Sequence, residues 1–312
     1  MIISYIFLKG GSYDIAPSTL NQVGNLFGKY GFPLVINRNI ISKDDTTLFV
    51  CSGMQNVKEH FHNPDFTKDG SLQSCIRTND LDLIGDGQHL SYFEMLGNFS
   101  FGDNNYETSI EMWHNILSDL KIKIDCVHVY PSRYDHRILW EKRNYLVVDD
   151  LECVWFDGGK IGGNCCELYC GSLEIGNLVN SNEHSTDVGF GFERLIQLIE
   201  NKKTIQETSL FQQNIHPIVS DHIRTLQVFY ENGIIPGNKG RNYVCRRLLR
   251  RILRYTKTIP DMVFEEWINK ELELRNKKIK TASRMWKRHG DKSPSWWWDT
   301  FGILPEELDL IK

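Results

Sequence analysis

The 312 residues predict an α+β fold: a mostly antiparallel sheet flanked by helices, followed by a helical domain. Three observations carry this expectation. Short and alternating apolar segments dominate the first two-thirds of the chain, whereas from about residue 189 apolar residues recur at helical spacing. Charge divides along the chain as well: residues 1–240 hold 19 basic against 30 acidic side chains, residues 241–292 hold 16 against 6, and residues 293–312 hold 1 against 4. With 41% apolar and 24% charged residues there is ample material for a core, which excludes a disordered or fibrous chain.

The elements follow in order. MIISYIFLKGG is too short for a membrane span and lacks the basic region of a signal peptide, so it reads as a buried strand. In STLNQVGNLFGKYG, Ser18 caps a helix with Leu20, Val23, Phe27 and Tyr30 on one face and a glycine at its end. TTLFVC (46–51), SLQSCIR (71–77) and QHLSYFEML (88–96) read as strands, the last two flanking a polar loop. ETSIEMWHNILSDL (107–120) sets Ile110, Trp113, Ile116, Leu117 and Leu120 in a helical stripe. CVHVY, YLVV and LEIGNLV are further strands. Helices then run through FERLIQLIENKK and residues 215–232, 241–256 and 262–289. A soft change of composition near ENKKTIQETS predicts two domains, 1–205 and 206–312.

The eight cysteines come without a secretion signal, so they are expected to be reduced and the chain cytoplasmic. Cys165, Cys166 and Cys170 cluster, but no C-x-x-C or H-x3-H pair completes a ligand set, and no zinc is expected. Arg77 closes one strand, and His89 and Phe93 lie four residues apart on the next, where alternation puts them on one surface. A guanidinium clamps a phosphate, a His meets a terminal phosphate and an aromatic face stacks on a base. The plainer alternative is a core Phe beside an exposed His. In STDVGFGFERLIQLIE the G-x-G lacks the third glycine and the βαβ setting of a dinucleotide loop. The remaining reading is close backbone approach at Gly189 and Gly191, with Arg194 projecting from the first helical turn toward a phosphate. RNYVCRRLLRRILRY carries an apolar face of Val244, Leu248, Leu249, Ile252 and Leu253 with arginines around the rest. That pattern suits a polyanionic partner; the alternative is internal pairing of those arginines with the acidic body.

An arginine strand, a loop, H-x-x-x-F and a later G-x-G-F-E-R together look like motifs 2 and 3 of a class II aminoacyl-tRNA synthetase. Within that class, TTLFVCSGMQNVKEHF, FEMLGNFSFGD, TDVGFGFERL, SDHIRTLQVFYENGIIPGNKGRNYVCRRLLRRILRY and WWWDTFGILPEELDL resemble the alanyl-tRNA synthetase family, in the family's order. The resemblance implies ATP- and Mg²⁺-dependent activation of alanine and its transfer to the 3′ end of a tRNA. It also implies roles. Arg77 would hold the α-phosphate and, with Arg194, carry the catalysis. His89 would meet the γ-phosphate, Phe93 and Arg194 would enclose the adenine, and Glu94 and Gly191 would complete the ATP site. Trp155, Asn177, Val179 and Gly189 would line the amino-acid pocket, and Asp187 would pair with the substrate ammonium. Glu174 would contact Mg²⁺. Arg224, Arg241, Arg246, Arg247, Arg250 and Arg251 would face the tRNA acceptor stem.

The sequence departs from the family in three places. The Gly-Gly-Lys usual after the motif 2 arginine is missing, DGGKIGGNCCELYC replaces a Pro- and Cys-rich loop, and the helices before WWWDTFG are compressed. No H-x3-H with a downstream Cys and His occurs, so no editing of mischarged product is expected. Two other readings are a paralogue that passes the amino acid to another acceptor and a catalytically silent RNA-binding module. The joint presence of Arg77, His89, Phe93, Asn177, Asp187 and Arg194 argues against the silent module.

Overall fold

A computed structural model of the chain describes residues 15–43, 47–62, 65–102, 106–157, 161–181, 184–256, 264–301, 303 and 305–312. The strand expected at MIISYIFLKGG lies outside them. The chain parts into two compact units, Met1–Gly233 and Ile234–Lys312.

Among the described residues, the first unit is built on nine strands in the order β1-β2-β3-β9-β8-β7-β4-β5, with β6 on β7. They are β1 Leu34–Asn37, β2 Lys68–Ile76, β3 Tyr92–Ser100, β4 Cys126–Val129, β5 Val147–Asp149, β6 Val154–Phe156, β7 Gly162–Cys170, β8 Leu173–Ser181 and β9 Ser185–Gly191. Among the described residues, β1–β2 and β4–β5 pair in parallel and the other pairings are antiparallel, as the sequence predicts. The helices are α1 Ile15–Lys29, α2 Lys58–His62, α3 Tyr106–Asp119, α4 Tyr134–Glu141, α5 Phe192–Ile199 and α6 Pro217–Glu231.

Alternation along each strand decides what lies on either face. One face carries Leu72, Leu96, Cys166, Leu168, Leu178, Val188 and Phe190 into a single core with Val23 and Phe27 of α1 and Ile110, Trp113, Ile116 and Leu117 of α3. Trp113 stacks on Phe190 with centroids 3.6 Å apart, and its indole N–H donates to Asn98 Oδ1 at 2.8 Å, which fixes α3 across β3 and β9. The opposite face is set by two rows of register partners. Cys165, Val179, Asp187 and Phe99 stand side by side on β7, β8, β9 and β3, and Glu167, Asn177, Gly189 and Gly97 form the next row. This second face carries the candidate site.

The start of β7 requires glycine. A Cβ on Gly163 would lie 2.1 Å from Asn180 O, and one on Gly162, at φ +152°, would lie 2.2 Å from Trp155 O. The glycines let β6 and β8 close over this strand.

Several expectations are corrected. TTLFVC forms no strand: among its described residues there is one isolated bridge, Ile41 to Phe49. Residues 88–91 precede β3 rather than belonging to it, because Asp86 Oδ1 accepts from the N–H groups of Gln88 and His89 and holds them in a turn. α1 begins before Ser18, and β7, β9 and α4 arise where no element was expected.

The second unit holds α7 Gly240–Tyr255, α8 Glu265–His289 and α9 Pro294–Phe301. α7 buries Val244, Cys245, Leu248, Leu249, Ile252 and Leu253, and Trp297 of α9 packs with Ala282, Ile303 and Ile311. No helix among the described residues is long and apolar enough to cross a membrane.

Candidate active site

The nucleotide-binding candidates gather at one end of the central strands. Arg77 follows the last residue of β2, Phe93 lies at the start of β3, and Arg194 sits in the first turn of α5 directly after β9. Because β2 and β9 both run antiparallel to β3, their ends meet its beginning: Ile76 pairs with Tyr92 and Gly191 with Met95. The Arg77 guanidinium lies 4.9 Å from the Phe93 ring centroid, its Nε donates to Cys51 O at 3.3 Å, and its backbone N–H donates to Ser91 O at 3.1 Å. The side chain is thus aimed before any ligand arrives. Arg194 donates to Glu174 O and lies 3.3 Å from Glu174 Oε2. Gly191 sits against the Arg194 stem, where an added Cβ would be 3.3 Å from its Cδ.

The short loop in place of Gly-Gly-Lys is held from within. Leu81 and Ile84 are buried, and Gly87 O accepts from Ile205 N–H at 3.0 Å. His89 leaves this loop with Nδ1 2.5 Å from Asp86 Oδ2, which fixes the ring and leaves Nε2 as its second polar atom. α6 anchors the same corner: Asp221 Oδ1 accepts from Ser91 N–H at 2.9 Å, and Oδ2 from the Ser91 hydroxyl.

Two expected residues stand elsewhere. Alternation turns Glu94 away from Phe93 to the packed side of β3, where it is 3% exposed. Its backbone N–H donates to both carboxylate oxygens of Glu193, at 3.1 and 3.0 Å. Arg224, expected at RNA, instead donates to Glu193 Oε1 at 2.8 Å and lies over the rings of Tyr92 and Phe211 at 4.9 and 4.7 Å. A guanidinium held by a buried carboxylate and two aromatic faces braces β3 against α5 and α6.

The amino-acid candidates share the open face. Asp187 is central and half-buried, and its carboxylate makes no hydrogen bond or ion pair with the described residues. Burial pushes its carboxyl up to about 7. Gly189 beside it leaves the backbone bare between Met95 and Asn177: a Cβ there would lie 3.0 Å from Met95 Sδ and 3.7 Å from Asn177 Oδ1. Val179 is buried with Cys153 and Cys165, and Trp155 packs against that cluster and also against Met54, Phe61, Phe99, Phe101 and Ile161. The result is a carboxylate on a glycine floor beside an aromatic and aliphatic wall, suited to a small group bearing a cation. Glu174, through its carboxylate next to Arg194, fits as one oxygen donor to Mg²⁺, which is commonly held by one or two carboxylates together with phosphate oxygens.

In the second unit, Glu271 of α8 is 4% exposed and accepts from Arg246 Nε at 2.7 Å and Arg250 Nε at 2.5 Å. Two of the six arginines expected to face RNA are thereby fixed by a neighbouring helix; Arg247 is exposed, and Arg241 and Arg251 are half-buried. Glu271→Gln is expected to lower unfolding free energy by about 2 kcal/mol, since two guanidiniums lose their carboxylate. Urea unfolding checks this, and an unchanged midpoint would mean the pairs add nothing.

Sequence reasoning missed Glu193, which links Glu94 and Arg224, and the convergence of Cys153, Cys165 and Glu167. For β7 a signal existed: in NCCELY, Cys165, Glu167 and Tyr169 alternate with Cys166 and Leu168, a period of two. For Glu193 there was none, because its partners come from β3 and α6.

The sheet thus presents arginines at one end and, among the described residues, an unpartnered carboxylate on its open face. The chain belongs to the tRNA synthetases of class II (A), whose family model matches residues 25–152 and 177–270. It is 31% identical to the alanine–tRNA ligase of Bacillus pumilus over 304 residues, covering 75% of this chain and 35% of that protein. It is 32% identical to that of Listeria monocytogenes serotype 4b over 295 residues, covering 73% and 33%. The chain thus spans about a third of the length of the curated relatives it matches. Among solved structures, a pyrrolysyl tRNA synthetase of Desulfitobacterium hafniense aligns with a TM-score of 0.43 at 15% identity, over 62% of this chain and 71% of that one.

Proposed function

We propose that the chain activates alanine with ATP to alanyl-adenylate and passes the alanyl group to the 3′ end of tRNA(Ala), as a cytoplasmic ligase. One observation carries this reading: Asp187, a half-buried carboxylate without a partner among the described residues, stands on the same sheet whose end presents Arg77, Phe93 and Arg194. The relatives, alanine–tRNA ligases, supply alanine and tRNA, and the Trp155–Val179 wall is consistent with a small side chain.

Asp187 binds the substrate ammonium and so turns the amino-acid carboxylate toward the nucleotide. That carboxylate is ionised at neutral pH and needs no general base to attack the α-phosphorus. Its oxygen forms the new P–O bond while the bond to pyrophosphate breaks. Arg77 stabilises the charge that builds on the α-phosphate, and the adenine is enclosed by Phe93 and Arg194. His89 receives the γ-phosphate through Nε2. Glu174 would be one oxygen donor to Mg²⁺, which would supply charge neutralisation on the phosphates. In the second step a ribose hydroxyl of the tRNA terminus attacks the acyl carbon and AMP leaves. Arg241, Arg247 and Arg251 are the proposed phosphate contacts for the acceptor stem, Arg246 and Arg250 being held by Glu271. The proposal assigns no editing step to these 312 residues.

The test is exchange of labelled pyrophosphate into ATP. Exchange is expected with alanine, and with serine or glycine more weakly, because a small pocket separates them by only about 1–3 kcal/mol. Absence of exchange with every amino acid would end the reading.

A further inference from the structure

We infer that Cys153, Cys165 and Glu167 form a binding site for a zinc ion. Their ligand atoms all lie within 4.8 Å of one another, with Cys165 Sγ 3.9 Å from Glu167 Oε1. In a tetrahedral zinc site, bonds of about 2.3 Å to sulfur and about 2.1 Å to oxygen place neighbouring donors roughly 3.5–3.8 Å apart. Small side-chain adjustments therefore close the set.

The arrangement is built by the fold. Cys165 and Glu167 are two apart on β7 and project to one side. Cys153 comes from the turn before β6, and its carbonyl accepts from Cys165 N–H at 2.9 Å, so the two segments are fastened where the thiols meet. All three side chains are held. The thiols are 0% and 1% exposed, walled by Val179, Tyr130 and Trp155. Glu167 is oriented by Tyr169, whose hydroxyl donates to Oε2 at 2.8 Å and leaves Oε1 for the thiol side. Both cysteines are free, with no disulfide between them.

Two sulfurs and one carboxylate match a borderline-soft cation and exclude Mg²⁺ as the preferred occupant. Three protein donors leave one tetrahedral position, taken by water. All three residues fall between the two blocks matched by the family model, residues 25–152 and 177–270, so this site belongs to the stretch in which the chain departs from that model. The inference stands apart from the proposed activity, since it rests on donor geometry alone.

The experiment uses the full chain, purified under reducing conditions, stripped with a chelator and titrated with Co²⁺. The expected result is one equivalent of tetrahedral cobalt with a thiolate charge-transfer band, displaced by Zn²⁺. Cys165→Ser is expected to remove most of that band and weaken Zn²⁺ binding by about 100-fold or more; Glu167→Gln is expected to keep the band but weaken binding by about 10- to 100-fold. A second measurement needs no variant: in mild denaturant, where the buried thiols open to reagent, Zn²⁺ should slow alkylation of Cys153 and Cys165, as read by peptide mass spectrometry, while Cys51 reacts at an unchanged rate. No stoichiometric cobalt spectrum, a spectrum unchanged by Cys165→Ser, or equal alkylation rates of Cys153 and Cys165 in that denaturant with and without Zn²⁺ overturns the site. A Cys153–Cys165 disulfide in air-purified protein whose reduced form binds no cobalt does so too.

Discussion

Arg77→Ala is expected to lower alanine-dependent pyrophosphate exchange by roughly 1,000-fold, the upper end of what removal of one preorganised charge donor costs. The structure explains why the effect should fall on the chemical step. The Arg77 stem is already held by Cys51 O and its guanidinium by the Phe93 ring, so little ordering remains to be done when ATP binds. Such a group acts on charge that grows in the transition state, and its loss should reduce kcat far more than it raises the KM for ATP. Arg77→Lys should restore only a small part of the activity. An ammonium neither reproduces the two-pronged contact with phosphate nor keeps the planar stacking on Phe93. Full activity in Arg77→Ala would remove Arg77 from the mechanism.

Asp187→Asn is expected to raise the KM for alanine by about 100-fold or more, as truncating one member of a desolvated charge pair costs roughly 2–5 kcal/mol. Its pH signature is specific. Burial holds the Asp187 carboxyl up to about 7, and an ammonium ligand needs the carboxylate ionised. Alanine affinity should therefore be fully developed above pH 7 and fall as pH drops through it, and the variant should lose this dependence. Stability moves the other way. A carboxyl raised from its ordinary value near 3.8 binds its proton more tightly folded than unfolded, so it costs stability as pH rises between those values, and the cost is complete above 7. Asp187→Asn should thus melt at a higher temperature than the parent at pH 8 while binding alanine poorly. An unchanged alanine KM would place the ammonium elsewhere, and a lower melting temperature at pH 8 would mean that the carboxylate carries no burial cost. A stability cost kept at a binding position is what function at a strained site produces.

Legibility differed by residue for physical reasons. Arg77, Phe93 and Arg194 were singled out through motifs contiguous in the chain; that they gather follows from β2, β3 and β9, whose antiparallel ends meet. Glu94 was misplaced because it was read with Phe93 as part of one motif, whereas adjacent residues in a strand face opposite ways. Arg224 was grouped with the arginines of α7 through the family resemblance. Its actual surroundings, Glu193, Tyr92 and Phe211, come from three separate stretches of chain. The arginines of α7 were weighed against pairing with an acidic body; for Arg246 and Arg250 the pairing found is with Glu271 of α8.

The sequence by itself determined the α+β class, the antiparallel bias of the sheet, the helical second part and membership of the synthetase class, because these depend on local periodicity and on motifs contiguous in the chain. Only the tertiary structure decided which side chains share a face. The register of β7, β8, β9 and β3 aligns Cys165, Val179, Asp187 and Phe99 across four strands, and a slip of one residue would turn each strand's set to the other side. The same register, with the turn that brings Cys153 to Cys165, creates a set of metal donors where the spacing of cysteines along the chain gave no reason to expect one.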